Sequence, residues 1–217
     1  MNGHRPKPDL LFVTLVHQAL RADSDRLADA TSALESADAQ GLRGLRVFFD
    51  EYRAQLCLHH AHEDNLFFPA LQAILDADQM PLAKLAHQHG MLDSDLQAIS
   101  EGLASLAIPS DDFAADHTDV VKTMFGMAAH LGAHLTMEEE TILPLMESSL
   151  SPATYQRLEA QARKRTPRRR AQFLIPWLIA HATPSQQSAL FKSTPPLRVA
   201  YLVNRRRYRF LDRALTC

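Results

Sequence analysis

A chain of 217 residues, 46% apolar and 22% charged, has the material for a sizeable buried core and is neither a disordered nor a fibrous composition. Two cysteines exclude a disulfide framework, and seven glycines with few β-branched runs argue against a sheet-rich fold. The net charge of −2 conceals a division: residues 1–150 hold 9 Lys and Arg against 23 Asp and Glu, whereas residues 151–217 hold 14 against 2.

The N-terminus offers Arg5 and Lys7 and then the brief run LLFVTLV, too short for a signal sequence and without a small-residue cleavage site. The later run FLIPWLIA is far below the roughly 20 residues of a membrane span. Together with the cysteine usage, this predicts a cytoplasmic protein. A first helix is expected over about 9–39 with Asp9 as N-cap, and Gly41 and Gly44 are expected to interrupt it. A second helix should run over 45–75, a third over 81–106, and a fourth from Asp111 or Asp112 to 147. The breaks DADQMP and AIPSDD are short enough to join antiparallel neighbours. After SSLSP the chain turns basic and proline-punctuated, with shorter helices over 152–166, 168–181, 184–192 and 195–214. The fold class is all-α: an antiparallel four-helix bundle over 9–150 and an additional basic helical C-terminal extension over 151–217. Trp177 and its apolar neighbours should pack the extension onto the acidic bundle, because they make a poor disordered tail.

Two segments share one layout. In CLHHAHEDNLFFPAL, His59, Glu63 and Pro69 stand at relative positions 0, 4 and 10; in AHLTMEEETILPLM, His134, Glu138 and Pro144 do the same. At about 100° per helical residue, His59 shares a face with Leu56, Glu63, Leu66 and Phe67. His134 shares one with Met127, Leu131, Glu138 and Leu145, His89 with Leu85, Leu92 and Leu96, and His17 with Leu10, Val13 and Leu20. Each of four helices thus points a histidine at the apolar interior, and two add a glutamate one turn later. A lone inward histidine is usually a satisfied core residue, but an unpaired buried carboxylate is expensive and a buried ion pair gains little. A pair of metal ions removes the difficulty by making neutral imidazoles and ionised carboxylates its ligands. The metal set read from the sequence is His17, His59, Glu63, His89, His134 and Glu138. These ligand types suit iron and also accept zinc or manganese. Glu63 and Glu138, one from each repeat, are placed to bridge.

The order H…HxxxE…H…HxxxE resembles the hemerythrin-like, or HHE cation-binding, family over roughly residues 9–147, and the basic extension looks like that of its actinobacterial members. The resemblance implies an antiparallel four-helix bundle with a non-haem di-iron centre, oxo- or hydroxo- and carboxylate-bridged, that meets O2, peroxide or NO. The oxygen carriers of that family use five histidines, two of them one turn apart on the third helix; here Asp93 stands one turn after His89. Asp93 joins the site, or His60 beside His59 supplies the missing ligand, or His130 contributes from one turn before His134, as a ligand or from behind one. A histidine-poor centre should consume oxygen or peroxide rather than carry oxygen reversibly. His62 and His87 point elsewhere, and Asp64, Glu139 and Glu140 read as an exposed acidic face.

Three functions fit this reading. One is sensing, storage or detoxification of O2, peroxide or NO; another is a di-iron oxidase or oxygenase acting on a small organic substrate. In the third, RKRTPRRR and NRRRYRF grip nucleic acid or an acidic membrane. The blander account of those arginines, that they neutralise the acidic bundle, is preferred. No glycine-rich phosphate loop or other cofactor motif is present beyond the metal pattern.

Overall fold

The computed structural model describes residues 6–36, 38–76, 80–108 and 112–215. Arg5, Asp111, Cys217 and the centres of the two expected breaks lie outside them. The described residues form helices α1 (Leu11–Ser32), α2 (Ala39–His62), α3 (Phe68–Gln72), α4 (Leu82–Ser105), α5 (Phe113–Met137), α6 (Leu143–Ser149), α7 (Pro152–Arg165), α8 (Arg168–His181), α9 (Pro184–Ser193) and α10 (Pro196–Asp212). No strand occurs among these residues, and no helix is long and apolar enough to cross a membrane.

Local chemistry sets most of the boundaries. The Asp9 carboxylate accepts the Leu11 N–H, but Asp9 is not the N-cap expected: Leu10 takes that position in α1 and makes no side-chain cap bond. Ser151 caps α7 through the Thr154 N–H, and Thr183 and Gln186 close a reciprocal capping box at the start of α9. The interruption expected at Gly41 and Gly44 does not occur; both lie inside α2. Asp38 accepts the Gly41 N–H at 2.7 Å and starts the helix there, which outweighs the poor propensity of glycine. At Gly44 a side chain is excluded, since a Cβ there would lie 2.5 Å from the Cβ of Ala214 in the extension.

α1, α2, α4 and α5 pack around a common axis, with α1 against α2 and α5, and α4 against α2 and α5. His17 and His89 lie about two turns into α1 and α4, whereas His59 and His134 lie in the last turns of α2 and α5. Helices leaving a common level therefore alternate with helices arriving at it, so neighbours are antiparallel. That level separates two apolar cores. On one side lie Leu15, Leu20, Leu56, Leu92, Leu131 and Leu135; on the other lie Leu66, Phe68, Leu71, Leu85, Ile142 and Met146. The band of histidines and glutamates divides them.

α2 and α5 each pass into their next helix through one turn of π-helix, Glu63–Phe67 and Glu138–Ile142. In each, the residue after the turn donates its N–H five residues back, Phe68 to Glu63 and Leu143 to Glu138. Pro69 and Pro144 follow at once and have no N–H to continue an ordinary ladder. Both widened turns thus begin at the repeated glutamate.

The extension shares the larger core. Phe173, Trp177, Leu178, Tyr208 and Leu211 join Phe48, Phe49 and Tyr52 of α2. Burial of the fully enclosed Trp177 contributes at most about 4–6 kcal/mol by apolar area. Its indole N–H donates to Asp23 of α1 at 2.7 Å. Asp23 also holds Arg26 at 2.6 Å and lies 3.2 Å from His181 Nε2. Arg170 and Arg207 converge on Glu51 at 3.0 and 3.3 Å, and Arg26 reaches Asp212 at 2.8 Å. Acidic bundle and basic extension are thereby joined by named ion pairs as well as by apolar surface.

Candidate metal centre

His17, His59, His60, Glu63, His89, His134 and Glu138 are all buried in the band between the two cores. Glu63 Oε1 lies 3.2 Å from His59 Nε2, and Glu63 Oε2 lies 3.7 Å from His89 Nε2. Glu138 Oε2 sits among three imidazoles, 3.6 Å from His17 Nε2, 3.6 Å from His134 Nε2 and 3.8 Å from His59 Nε2. All but the first exceed hydrogen-bond distance, and at that first contact His59 Nε2 makes no hydrogen bond either. Indeed the Nε2 atoms of His17, His59, His89 and His134, both ring nitrogens of His60, Glu63 Oε2 and both Glu138 oxygens are buried without a hydrogen-bond partner. A folded chain leaves few such atoms, and here they converge on one space.

The outer sides of the rings are satisfied. His17 Nδ1 lies 3.2 Å from Glu139, His89 Nδ1 3.2 Å from Asp64, and His134 Nδ1 3.3 Å from Gln88 Oε1. Each partner atom is an acceptor, so Nδ1 carries the hydrogen and the Nε2 lone pair faces inward. This is how an outer shell orients imidazole ligands. Arg21 extends one chain outward by donating to Glu139 at 3.1 Å and to the Gly132 carbonyl at 3.0 Å. The hydrogen bond from His17, opposed by burial and aided by Arg21, holds the Glu139 carboxyl below its ordinary range.

Burial pushes His59 and His60 well below the usual histidine range, and the neighbouring imidazoles add to the effect. Burial likewise lowers His134 to about 4, against the pull of Glu138. Burial, then the Glu138 charge, drives Glu63 well above the ordinary carboxyl range. Burial thus favours the neutral forms of these imidazoles and of the Glu63 carboxyl, and a cation arriving at the site competes with protons for them.

Three groups of ligand atoms each fall within 4.8 Å of one another: His17, His59, Glu63 and Glu138; Glu63, His89, His134 and Glu138; and His60, His89 and His134. Glu63 and Glu138 belong to both four-residue groups. All six residues of the expected metal set are thus brought together, and His60 joins them, its ring stacked on His89 at 4.0 Å. Asp93 does not: it is exposed one turn beyond His89. Nor does His130, which sits at the surface and pairs with Asp95 at 2.6 Å. The fifth histidine comes from α2, directly after His59, so the histidine-poor centre expected from Asp93 is corrected to five clustered imidazoles. His87 is exposed and His62 half-buried, both outside the three groups.

Asp64 and Glu139 correct the expectation of a merely exposed acidic face. Their carboxylates are half in solvent, yet each holds an inward histidine from a neighbouring helix. The signal was in the repeat: an acid directly follows the inward glutamate in both copies.

An all-helical bundle whose buried His and Glu side chains form groups able to hold cations is a metal-binding domain. The family model described as Hemerythrin HHE cation binding domain matches residues 12–146, and the chain belongs to that family. No curated protein and no solved structure matches the chain.

Proposed function

We propose that the chain holds two non-haem iron ions and uses them to bind and react with O2, peroxide or NO. The observation that carries this reading is the sharing of Glu63 and Glu138 between two ligand groups, with nearly every orphaned buried polar atom turned toward the same space. On the first side His17 and His59, and on the second His89 and His134 with His60, would supply the remaining ligands. A bound pair of irons supplies one- and two-electron redox chemistry and a place for a diatomic ligand. Because burial favours the protonated form of Glu63, protons and cation compete for the site. Asp64, Glu139 and Gln88 keep the imidazoles oriented, and the apolar cores on either side restrict water to the band itself. Zinc and manganese satisfy the same donors and are the competing occupants.

A second reading, oxidation of a small organic substrate, is favoured by one feature. A groove of about 450 Å³ opens beside the site, lined by Gln18, Arg21, Asp25 and Glu139 among others, and falls in the size range of small-molecule pockets. The Arg21–Glu139 pair stands between this groove and His17.

The test begins with metal analysis and an optical spectrum of protein produced with iron in excess. The protein is then reduced without air and exposed separately to O2, peroxide and NO. About two irons per chain and a spectral response to at least one ligand are expected. Zinc as the bound metal under iron-replete conditions, or a reduced spectrum indifferent to all three, defeats the proposal. Recovery of the reduced spectrum when O2 is withdrawn distinguishes reversible binding from consumption.

A further inference from the structure

The outward face of α10 presents a combination that the neutralising role of the extension does not explain. Val199, Leu202, Val203 and Phe210 are 64%, 48%, 72% and 76% exposed, although the same helix buries Tyr208 and Leu211 on its other side. At about 100° per residue, positions 199, 202, 203, 206 and 210 fall on one face. Scattered single exposures need no explanation, but four on one stripe do. Arg206 lies within the stripe, and Arg198, Arg205 and Arg209 flank it. None of these four makes an ion pair among the described residues, in contrast to Arg170 and Arg207 with Glu51 and Arg26 with Asp212. The one acid of α10, Asp212, is turned to Arg26 and Tyr208.

We propose that this face of α10 docks on an anionic lipid bilayer. Such a surface accepts both halves of the pattern: apolar side chains enter the boundary between headgroups and acyl chains, and guanidinium groups meet the lipid phosphates. A nucleic acid would engage the arginines and leave Val199, Val203 and Phe210 in water. A second copy laying the same face on this one would bring cation against cation. The acidic bundle, bonded to the opposite side of the extension, is then held away from the like-charged membrane.

The experiment is flotation of the full chain with vesicles of phosphatidylcholine, and with vesicles in which about a third of the lipid is phosphatidylglycerol, at about 0.1 M and about 1 M salt. Binding to the anionic vesicles at the lower salt, and its loss at the higher salt or on neutral vesicles, is expected. The pair Val203→Glu and Phe210→Glu should weaken binding at least about tenfold, and the pair Arg206→Glu and Arg209→Glu about tenfold or more. All four positions are exposed, so melting temperature and metal content should stay at the starting values and show that the fold is intact. Failure of the starting protein to float, or flotation unaffected by Val203→Glu with Phe210→Glu, overturns the proposal. So does a dimer that this pair dissociates, which would assign the face to a second copy. Duplex DNA bound through Arg206 and Arg209 but indifferent to Phe210→Glu would assign it to a polyanion and overturn the proposal equally.

Discussion

α1 carries two buried polar residues less than two turns apart, His17 and Asp23, and their surroundings are opposite. Asp23 is fully enclosed and meets a partner in each direction, with Trp177, Arg26 and His181 around it. His17 belongs to a group in which nearly all the inward atoms lack a hydrogen-bond partner. Burying a polar group is costly unless it is bonded. Asp23 meets that cost within the chain, through Trp177 and Arg26, and is structural, although His181 Nε2 beside it makes no hydrogen bond. The second cluster leaves nearly all of its inward atoms open, as a cation site does. Burial alone does not separate the two. Satisfaction does.

The sharpest way to break this comparison is to empty the orphaned cluster of carboxylate. Replacing both Glu63 and Glu138 by Ala should abolish metal binding, measured as metal per chain after production with iron. Because Glu63 Oε2 and both Glu138 oxygens are buried without a hydrogen-bond partner, the metal-free variant should melt no lower than the metal-free starting protein. Retention of full metal content would show that the two glutamates are not shared ligands.

The converse change should unsettle the fold and spare the site. Asp23→Ala removes a charged acceptor from the Trp177 indole, a loss of about 1.5–3 kcal/mol. For a chain of this size that lowers the melting temperature by about 3–12 °C. Metal content at room temperature should be unchanged. The contribution also has a sign in pH. Burial raises the Asp23 carboxyl, but His181, Arg26 and Trp177 outweigh it and hold it below its ordinary value of 3.8. In that window the unfolded chain binds the proton more readily, so the contribution is complete above 3.8 and is lost as pH falls through the lowered value. Melting of the parent and of Asp23→Asn, followed from about pH 5 downward, should converge below 3.8. A constant gap would refute the electrostatic account.

A smaller effect is expected where the two kinds of cluster meet. Asp64 and Glu139 bond to the histidines from outside, so Asp64→Asn or Glu139→Gln should weaken metal affinity by about 10–100-fold without abolishing it. Competition with a chelator measures this, and unchanged affinity would reduce both acids to surface decoration. Smallest of all is Arg207→Gln. Its guanidinium is 55% exposed and shares Glu51 with Arg170, so a change in stability below about 1 kcal/mol is expected from thermal melting.

What was legible in the sequence follows the same division. Inward histidines and glutamates were visible because repetition and helical period place them among leucines, and period is local information. The termini of α7, α8, α9 and α10 were visible because prolines punctuate the extension. Continuation of α2 through Gly41 and Gly44 was not, because it depends on a cap by Asp38 and on the arrival of Ala214, 170 positions after Gly44. His60, Asp93 and His130 were all left open as candidates in sequence, with His130 the weakest. Choosing among them required knowing how far each side chain is rotated from the bundle axis. Beyond Arg26 in the same helix, the partners of Asp23 lie 154 and 158 residues away, at Trp177 and His181, and nothing in the local pattern announces them.

The two π turns carry a consequence for length. Each holds one residue more than the ordinary helix that would otherwise occupy the same rise. Deleting Asn65 would let an ordinary turn occupy the same rise, so the helix downstream would keep its facing. Phe68 and Leu71 would stay in the core they share with Ile142 and Met146. The same holds for a one-residue deletion between Glu138 and Ile142. A deletion in the regular middle of α4 instead turns everything beyond it by about 100°. A library of single deletions should therefore keep folded members at 64–67 and 139–142 and lose them inside α4.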